Sequence, residues 1–340
     1  MGATPEQQPV RLAESDLEFD VAPVLRQGGM VPAADLLVDV LPTDRLNERA
    51  KPLPILRDEL RRIPNARNAL NVASVWLQSF GVIALACWLD HPLGWVVAFL
   101  LMGRAFALYA ILSHEAAHRL LFSKKWVNDV VGRWGLAYPA FVPLDAYRRS
   151  HFAHHKDEFG PNEPDLNLYN GYPITRASMK RKLRRDAIGI SGWKNLKGLL
   201  LAVKSERARP LALRILGTQV VLWIGLGLAT GRWWVYPVLW LAPYMTVWRV
   251  INRLRSIAEH GGMTRSTDRR MTTHVVRQSS LARFWMVPFN TGWHLAHHVD
   301  MGVPFQRLPQ LHDELARAGW VTEALTYPSY RALWRAMSSA

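Results

Sequence analysis

Three short histidine clusters carry the residues best suited to chemistry: His114-Glu115-Ala116-Ala117-His118, His151-Phe152-Ala153-His154-His155 and His294-Leu295-Ala296-His297-His298. Together they hold eight of the twelve histidines. In the first, the two imidazoles stand four residues apart. In the other two they fall at i, i+3 and i+4. These spacings place side chains on one face of a helix, so each cluster aims its rings at one point. Neutral imidazole is the commonest nitrogen ligand for zinc, copper, iron and nickel. A lone histidine is ordinarily a hydrogen-bonded polar residue, but three same-face clusters in one chain predict metal binding.

The first cluster also matches H-E-x-x-H, in which two histidines hold zinc and Glu115 acts as general base. A zinc membrane protease is therefore an alternative, and a non-catalytic metal sensor another. Zinc needs only about four ligands, however, which leaves the six histidines of the other clusters without a task. Glu115, one residue after His114, also points about 100° away from it on a helix. Eight or nine converging imidazoles suit two metal ions with open positions, and iron is the metal expected for oxygen activation by neutral ligands.

Long apolar runs must position these clusters. Asn71–Leu89 carries no charge and spans roughly 28 Å as a helix, near the thickness of a bilayer core. Asp90-His91-Pro92 breaks it. Leu93–Leu112 follows, interrupted by Arg104, and leads into the first cluster. Leu211–Thr230 and Trp233–Val250 are separated by Gly231-Arg232 and precede the third. The expectation is an all-α membrane protein with four transmembrane helices, at about 71–89, 93–112, 211–230 and 233–250, and a cytosolic helical cap bearing the clusters. Residues 1–66 read as a cytosolic N-terminal segment, loosely ordered at its start and with amphipathic turns around Ala33–Val40. Residues 67–315 read as the catalytic domain and 316–340 as a cytosolic, amphipathic C-terminal segment. Val127–Leu144 is mildly apolar and suits the membrane interface.

Lys and Arg exceed Asp and Glu by 42 − 27 = 15. Such a surface suits nucleic acid, an anionic membrane or an acidic protein. The 15 tryptophans and the apolar runs favour the membrane, and no nucleic-acid partner is expected. The basic residues gather in 119–209 and near both termini, while the loops at 90–92 and 231–232 carry almost none. The positive-inside rule then makes the termini and all three clusters cytosolic, with Trp88, Trp95, Trp233 and Trp234 at the outer interface. Cys87, the only cysteine, excludes an internal disulfide framework and any Cys-based zinc or iron–sulfur site. The beginning of the sequence has neither a signal-peptide pattern nor a myristoylation pattern.

With spacing and topology together, the chain resembles the membrane fatty acid desaturases and their hydroxylase relatives, whose signature is HxxxH, HxxHH and HxxHH. The resemblance runs from about Ala73 to Leu315. It implies a non-haem di-iron centre, O2 as co-substrate, two external electrons and a lipid or acyl-chain substrate. It implies as ligands His114, His118, His151, His154, His155, His294, His297 and His298. His260, in Arg255-Ser256-Ile257-Ala258-Glu259-His260, matches a further family ligand after the last span. Asp165 resembles a frequent acidic residue after the second cluster and is expected to orient a histidine. His91, His274 and His312 are expected not to bind metal. The expected reaction is insertion of a double bond into a fatty-acyl chain, with hydroxylation as the family alternative. The chain has no His-Pro-Gly-Gly haem motif and no G-x-G-x-x-G fingerprint, so a separate electron donor of ferredoxin or cytochrome b5 type is expected. The basic stretch 176–209 could dock it, or could simply face lipid head groups.

Overall fold

Tight breaks between apolar runs set the helix pairs. In the computed structural model, which describes residues 28–339, the first two runs form the helices Asn65–Leu89 and Pro92–Ala117. Asp90, left-handed at φ 42°, ends the first. Pro92 opens the second in its first turn, where a missing N–H costs no hydrogen bond. The third run is the helix Arg209–Thr230, stopped by Gly231 at φ 67°, a conformation glycine adopts without steric cost. The looseness expected at the start of the N-terminal segment lies outside the described residues. Within them, the turns around Ala33–Val40 contain one short 3-10 helix, Ala34–Leu36.

The fold is mostly helical, and three stretches are long and apolar enough to cross a membrane: Pro54–Leu89, Pro92–Ala117 and Arg209–Thr230. Their outer faces present bare apolar side chains; Leu77 is 74% exposed and Leu228 72%. Lipid is the solvent in which such a surface is stable.

The fourth run departs from the expected single helix. Pro237–Leu241 is a wide-turned helical segment, Ala242–Met245 one further turn, and the backbone breaks at Thr246 (φ −120°, ψ −81°). Pro237 and Pro243 each lack the N–H that a regular helix needs, which explains the irregular turns. A new helix, Val247–His260, then runs ten residues past the expected end of the span at Val250 and finishes on His260. Gly103 lets it pack closely: a Cβ there would run into the side chain of Val247. The helix bearing the first cluster thus meets the helix bearing His260.

The two short breaks lie side by side. The Arg232 guanidinium donates to both carboxylate oxygens of Asp90 at 2.8 and 2.9 Å, beside a Trp95–Trp234 contact with ring centroids 4.7 Å apart. The helix Pro92–Ala117 starts at this end and reaches His114 about 33 Å further on. Between these ends lies an aromatic layer in which Trp240 meets Phe106, Tyr109 and Trp76 at centroid distances of 5.6, 5.8 and 6.0 Å. The Trp240 indole N–H donates to the Pro139 carbonyl at 3.1 Å, and the Gln219 amide to Tyr138 O at 2.7 Å.

Outside the long helices, Trp126, Val130 and Trp134 stand at i, i+4 and i+8 and are 69%, 48% and 50% exposed. This is an outward apolar stripe of the kind expected for a segment lying along a membrane interface. Described residues before the first long helix and after the third cluster pack together beside the histidines. Arg61 pairs with Asp300 at 2.7 Å and Arg45 with Glu314 at 3.0 Å. Val275–Val276 pairs in parallel with Thr326–Tyr327. The Trp334 indole N–H, on the helix Tyr330–Met337, donates to Leu254 O at 3.1 Å.

Candidate metal centre

Each cluster sits at or near the end of a helix. His114 and His118 occupy the last turn and the cap of Pro92–Ala117. The second cluster closes Leu144–Lys156, and the third is itself the short helix His294–Val299. His260 is the last residue of Val247–His260. All nine imidazoles named from the sequence come together. One ring nitrogen from each of His114, His118, His151, His155 and His297 lies within 4.8 Å of the others. His154, His260 and His298 form a second such group. His294 joins it, with its Nε2 3.1 Å from His260 Nε2 and 3.0 Å from His298 Nε2.

These nitrogens fit a cation better than they fit one another. His151 Nε2 and His155 Nε2 face each other at 3.0 Å, and the Nε2 atoms of His118 and His297 are buried with no hydrogen-bond partner among the described residues. Buried polar atoms without partners are costly unless something else satisfies them. Two imidazoles on one metal at about 2.1 Å, a right angle apart, put their nitrogens about 3.0 Å from each other; a tetrahedral ion would spread them to about 3.4 Å. The observed spacings of 3.0–3.1 Å are short enough for both rings of each pair to reach one ion. Burial, ahead of neighbouring charge, also pushes the pKa of His155, His260, His297 and His298 well below the ordinary value, and that of His118 down to about 3. The rings stay neutral, which is the form that binds metal.

The two groups differ in what stands behind them. In the second, every imidazole has a backing partner. His154 Nδ1 lies 3.0 Å from Glu163, His260 Nδ1 2.8 Å from Thr272 O, and His298 Nδ1 2.5 Å from Glu158. His294 Nδ1 is 3.6 Å from Glu259. Arg269 in turn donates to Glu158 at 2.6 Å and to the backbone of His155 at 3.1 Å. Burial alone would depress the His154 pKa, but the Glu163 carboxylate overrides it and holds it above the ordinary value. For Glu158, burial dominates and raises the pKa despite Arg269. Among the described residues, no carboxylate hydrogen-bonds to a ring of the first group.

Three of these carboxylates, Glu158, Glu163 and Glu259, were not singled out from the sequence. The carboxylate hydrogen-bonded to His154 is Glu163, two residues before Asp165. Asp165 lies within 4.8 Å of that pair, and its N–H donates to Glu163 at 3.0 Å. Glu115 is buried and accepts from the Phe305 N–H at 3.1 Å; it belongs to no metal-sized group. The remaining histidines have other work. His91 caps a helix, accepting from Leu93 N–H at 3.2 Å at the far end of the molecule. His274 Nε2 meets Gly261 O at 2.7 Å, and His312 stacks on Trp293 at 4.1 Å.

A cavity of about 670 Å³ leads to the centre. Its walls include Phe141, Leu199, Leu211, Ile215 and Trp248, and it reaches His114, His151, His154, His260, His294 and His297. An apolar recess ending on a few convergent polar side chains is the general form of a small-molecule site.

Comparison with known proteins agrees with this geometry. The fatty acid desaturase family model matches residues 90–331, 242 of the 340. Dihydrorhizobitoxine desaturase of Bradyrhizobium elkanii is 25% identical over 67% of this chain and 68% of its own. The sn-1 acyl-lipid omega-3 desaturase (ferredoxin) of Nostoc sp. (strain 36) is 24% identical over 75% and 77%. The sn-1 oleoyl-lipid 12-desaturase of Anabaena variabilis is 21% identical over 80% and 71%. The chain belongs to the fatty acid desaturase family and is a desaturase-like oxidoreductase.

Proposed function

We propose that this protein is an integral membrane desaturase that holds two iron ions on its nine clustered histidines and inserts a double bond into an acyl chain. The balanced reaction takes a saturated –CH2–CH2– pair, O2, two electrons and two protons to –CH=CH– and two waters. The observation that carries this reading is the pair of buried imidazole groups at the end of an apolar-walled cavity. His114, His118, His151, His155 and His297 would hold one ion, and His154, His260, His294 and His298 the other. Bound iron supplies the oxygen activation that no side chain can. Glu158, Glu163 and Glu259 fix the orientation of the imidazoles they face, Asp165 supports Glu163, and the cavity wall keeps bulk water from the reacting carbons.

In this reading residues 67–315 are the catalytic body and the membrane is crossed four times, the fourth through the broken segment 233–250. The histidine end faces the cytosol, and the Asp90–Arg232 end faces away. The electron donor is a separate acidic protein. A ferredoxin is favoured because the name of the Nostoc relative carries one. The basic residues of 176–209 would receive it.

The test is expression in a host of known lipid composition followed by lipid mass spectrometry. Loss of two hydrogens from an acyl chain is the expected result. Gain of one oxygen would instead place the protein with the hydroxylases, and unchanged lipids with an active electron donor present would reject both.

A further inference from the structure

Among the described residues, two cations that line the cavity, Arg249 and Lys194, form no ion pair. Arg249, at the start of Val247–His260, lines the cavity. Its guanidinium rests on the Tyr244 ring at 4.2 Å, its Nε is buried without a hydrogen-bond partner, and among the described residues it forms no ion pair. The other arginines near the site are matched. Arg253 pairs with Asp186, Arg269 with Glu158 at 2.6 Å, Arg148 with Asp129 at 2.6 Å, and Arg255 sits 3.5 Å from Glu259. A half-buried, unpaired guanidinium is unfavourable in the empty site and becomes favourable when an anion enters. Lys194, exposed at the cavity rim on the helix Ile190–Ala202, adds a second positive charge.

Between Arg249 and the metal-binding end, the site is elongated. Arg249 and His260 lie eleven residues apart on one helix, about 16 Å along its axis. Phe141, Leu199, Leu211 and Ile215 give this cavity an apolar wall, while Asn252, Arg255, Ser256 and Glu259 of the helix itself line it with polar groups. We infer that the substrate is an anionic amphiphile whose carboxylate or phosphate head group docks on Arg249 inside the cavity, while its apolar chain runs toward the histidines. This rests on the reading of the cavity as the substrate site. It adds that recognition is by charge within the protein rather than by chain alone. Arg suits this role because its planar fork presents two parallel donors to a carboxylate or a phosphate.

The experiment is calorimetric titration of the full-length protein, purified in a neutral detergent at pH 8, with dodecanoate, dodecyl phosphate and dodecanol. Wild type is expected to bind at least one of the two anions about tenfold or more tightly than dodecanol. Preference for dodecanoate alone identifies a carboxylate head, and preference for dodecyl phosphate alone a phosphate. Arg249→Gln should erase the preference while leaving dodecanol binding unchanged, and Arg249→Lys should keep part of it. Equal binding of all three probes by wild type, no binding of any, or a preference that survives Arg249→Gln overturns the inference. Iron measured on the same samples separates the two readings. About two iron atoms per chain with no charge preference defeats the head-group inference alone. A charge preference without iron defeats the di-iron reading alone.

Discussion

Replacing His297 with Ala will abolish turnover and strip iron from the protein. The wild type should carry about two iron atoms per chain and little zinc, and the variant fewer than about one. His297 Nε2 is buried, has no hydrogen-bond partner among the described residues and belongs to the five-imidazole group. Its removal therefore takes a ligand and leaves a polar void that the surrounding side chains cannot fill. Loss should exceed the roughly 10–100-fold seen when a residue behind a ligand is removed. His118→Ala, in the same group, should behave alike. Glu115→Gln supplies the contrast. Its carboxylate is occupied by the Phe305 N–H, so the amide should keep iron and much of the activity. Metal analysis and turnover on these three variants decide the matter. One zinc per chain, with Glu115→Gln inactive but metal-loaded, would hand the chain to the zinc proteases.

The second large effect is expected at Glu158, which touches the reaction only through others. Its side chain is fully buried and joins His298 to Arg269. Glu158→Ala leaves a part-buried guanidinium without its counter-ion and frees the His298 ring to rotate. Removing one member of such a pair costs about 3–5 kcal/mol, and metal affinity should fall about 10–100-fold. Glu158→Gln keeps the shape and one hydrogen bond, so it should recover much of the stability and less of the affinity. Thermal unfolding and iron titration separate these contributions. A Glu158→Ala protein with unchanged melting temperature and two tightly bound irons would show that the carboxylate neither stabilises the fold nor positions the imidazole.

The convergence of the histidines was legible because its information is local. Histidines at i, i+3 and i+4 face together whatever the rest of the chain does, and all nine positions named from the sequence converge. The carboxylates behind them were not legible, for a physical reason. Glu158 stands four residues after His154 and would share its helix face if the helix continued. The helix instead ends at Lys156, Asp157 turns extended (φ −148°), and Glu158 reaches a histidine 140 residues away. Glu163 was hidden for a similar reason: beside Asp165 in one turn-rich loop, it is distinguished only when the backbone directs it to His154. The first three apolar runs became the helices expected of them. In the fourth, Pro237 and Pro243 read as apolar in a hydropathy pattern while breaking the backbone regularity that a span was assumed to have.

The aromatic layer around Trp240 has an electrical consequence. Among the described residues, the cavity takes no lining from 65–109 or 216–243, so it stops short of this layer and does not continue toward the Asp90–Arg232 pair. If the histidine end faces the cytosol as proposed, the two electrons and two protons consumed per double bond enter from the same compartment. No charge then traverses the bilayer's electric field. Turnover in sealed vesicles should leave a voltage-sensitive dye unmoved, and the reaction should proceed equally fast whether the membrane is polarised or not, since each elementary charge moved across 100 mV would otherwise contribute about 2.3 kcal/mol. A rate that changes with imposed potential would show that the layer is leakier to protons than its packing implies. The cell can thus run this oxidation in an energised membrane without drawing on, or adding to, its proton-motive force.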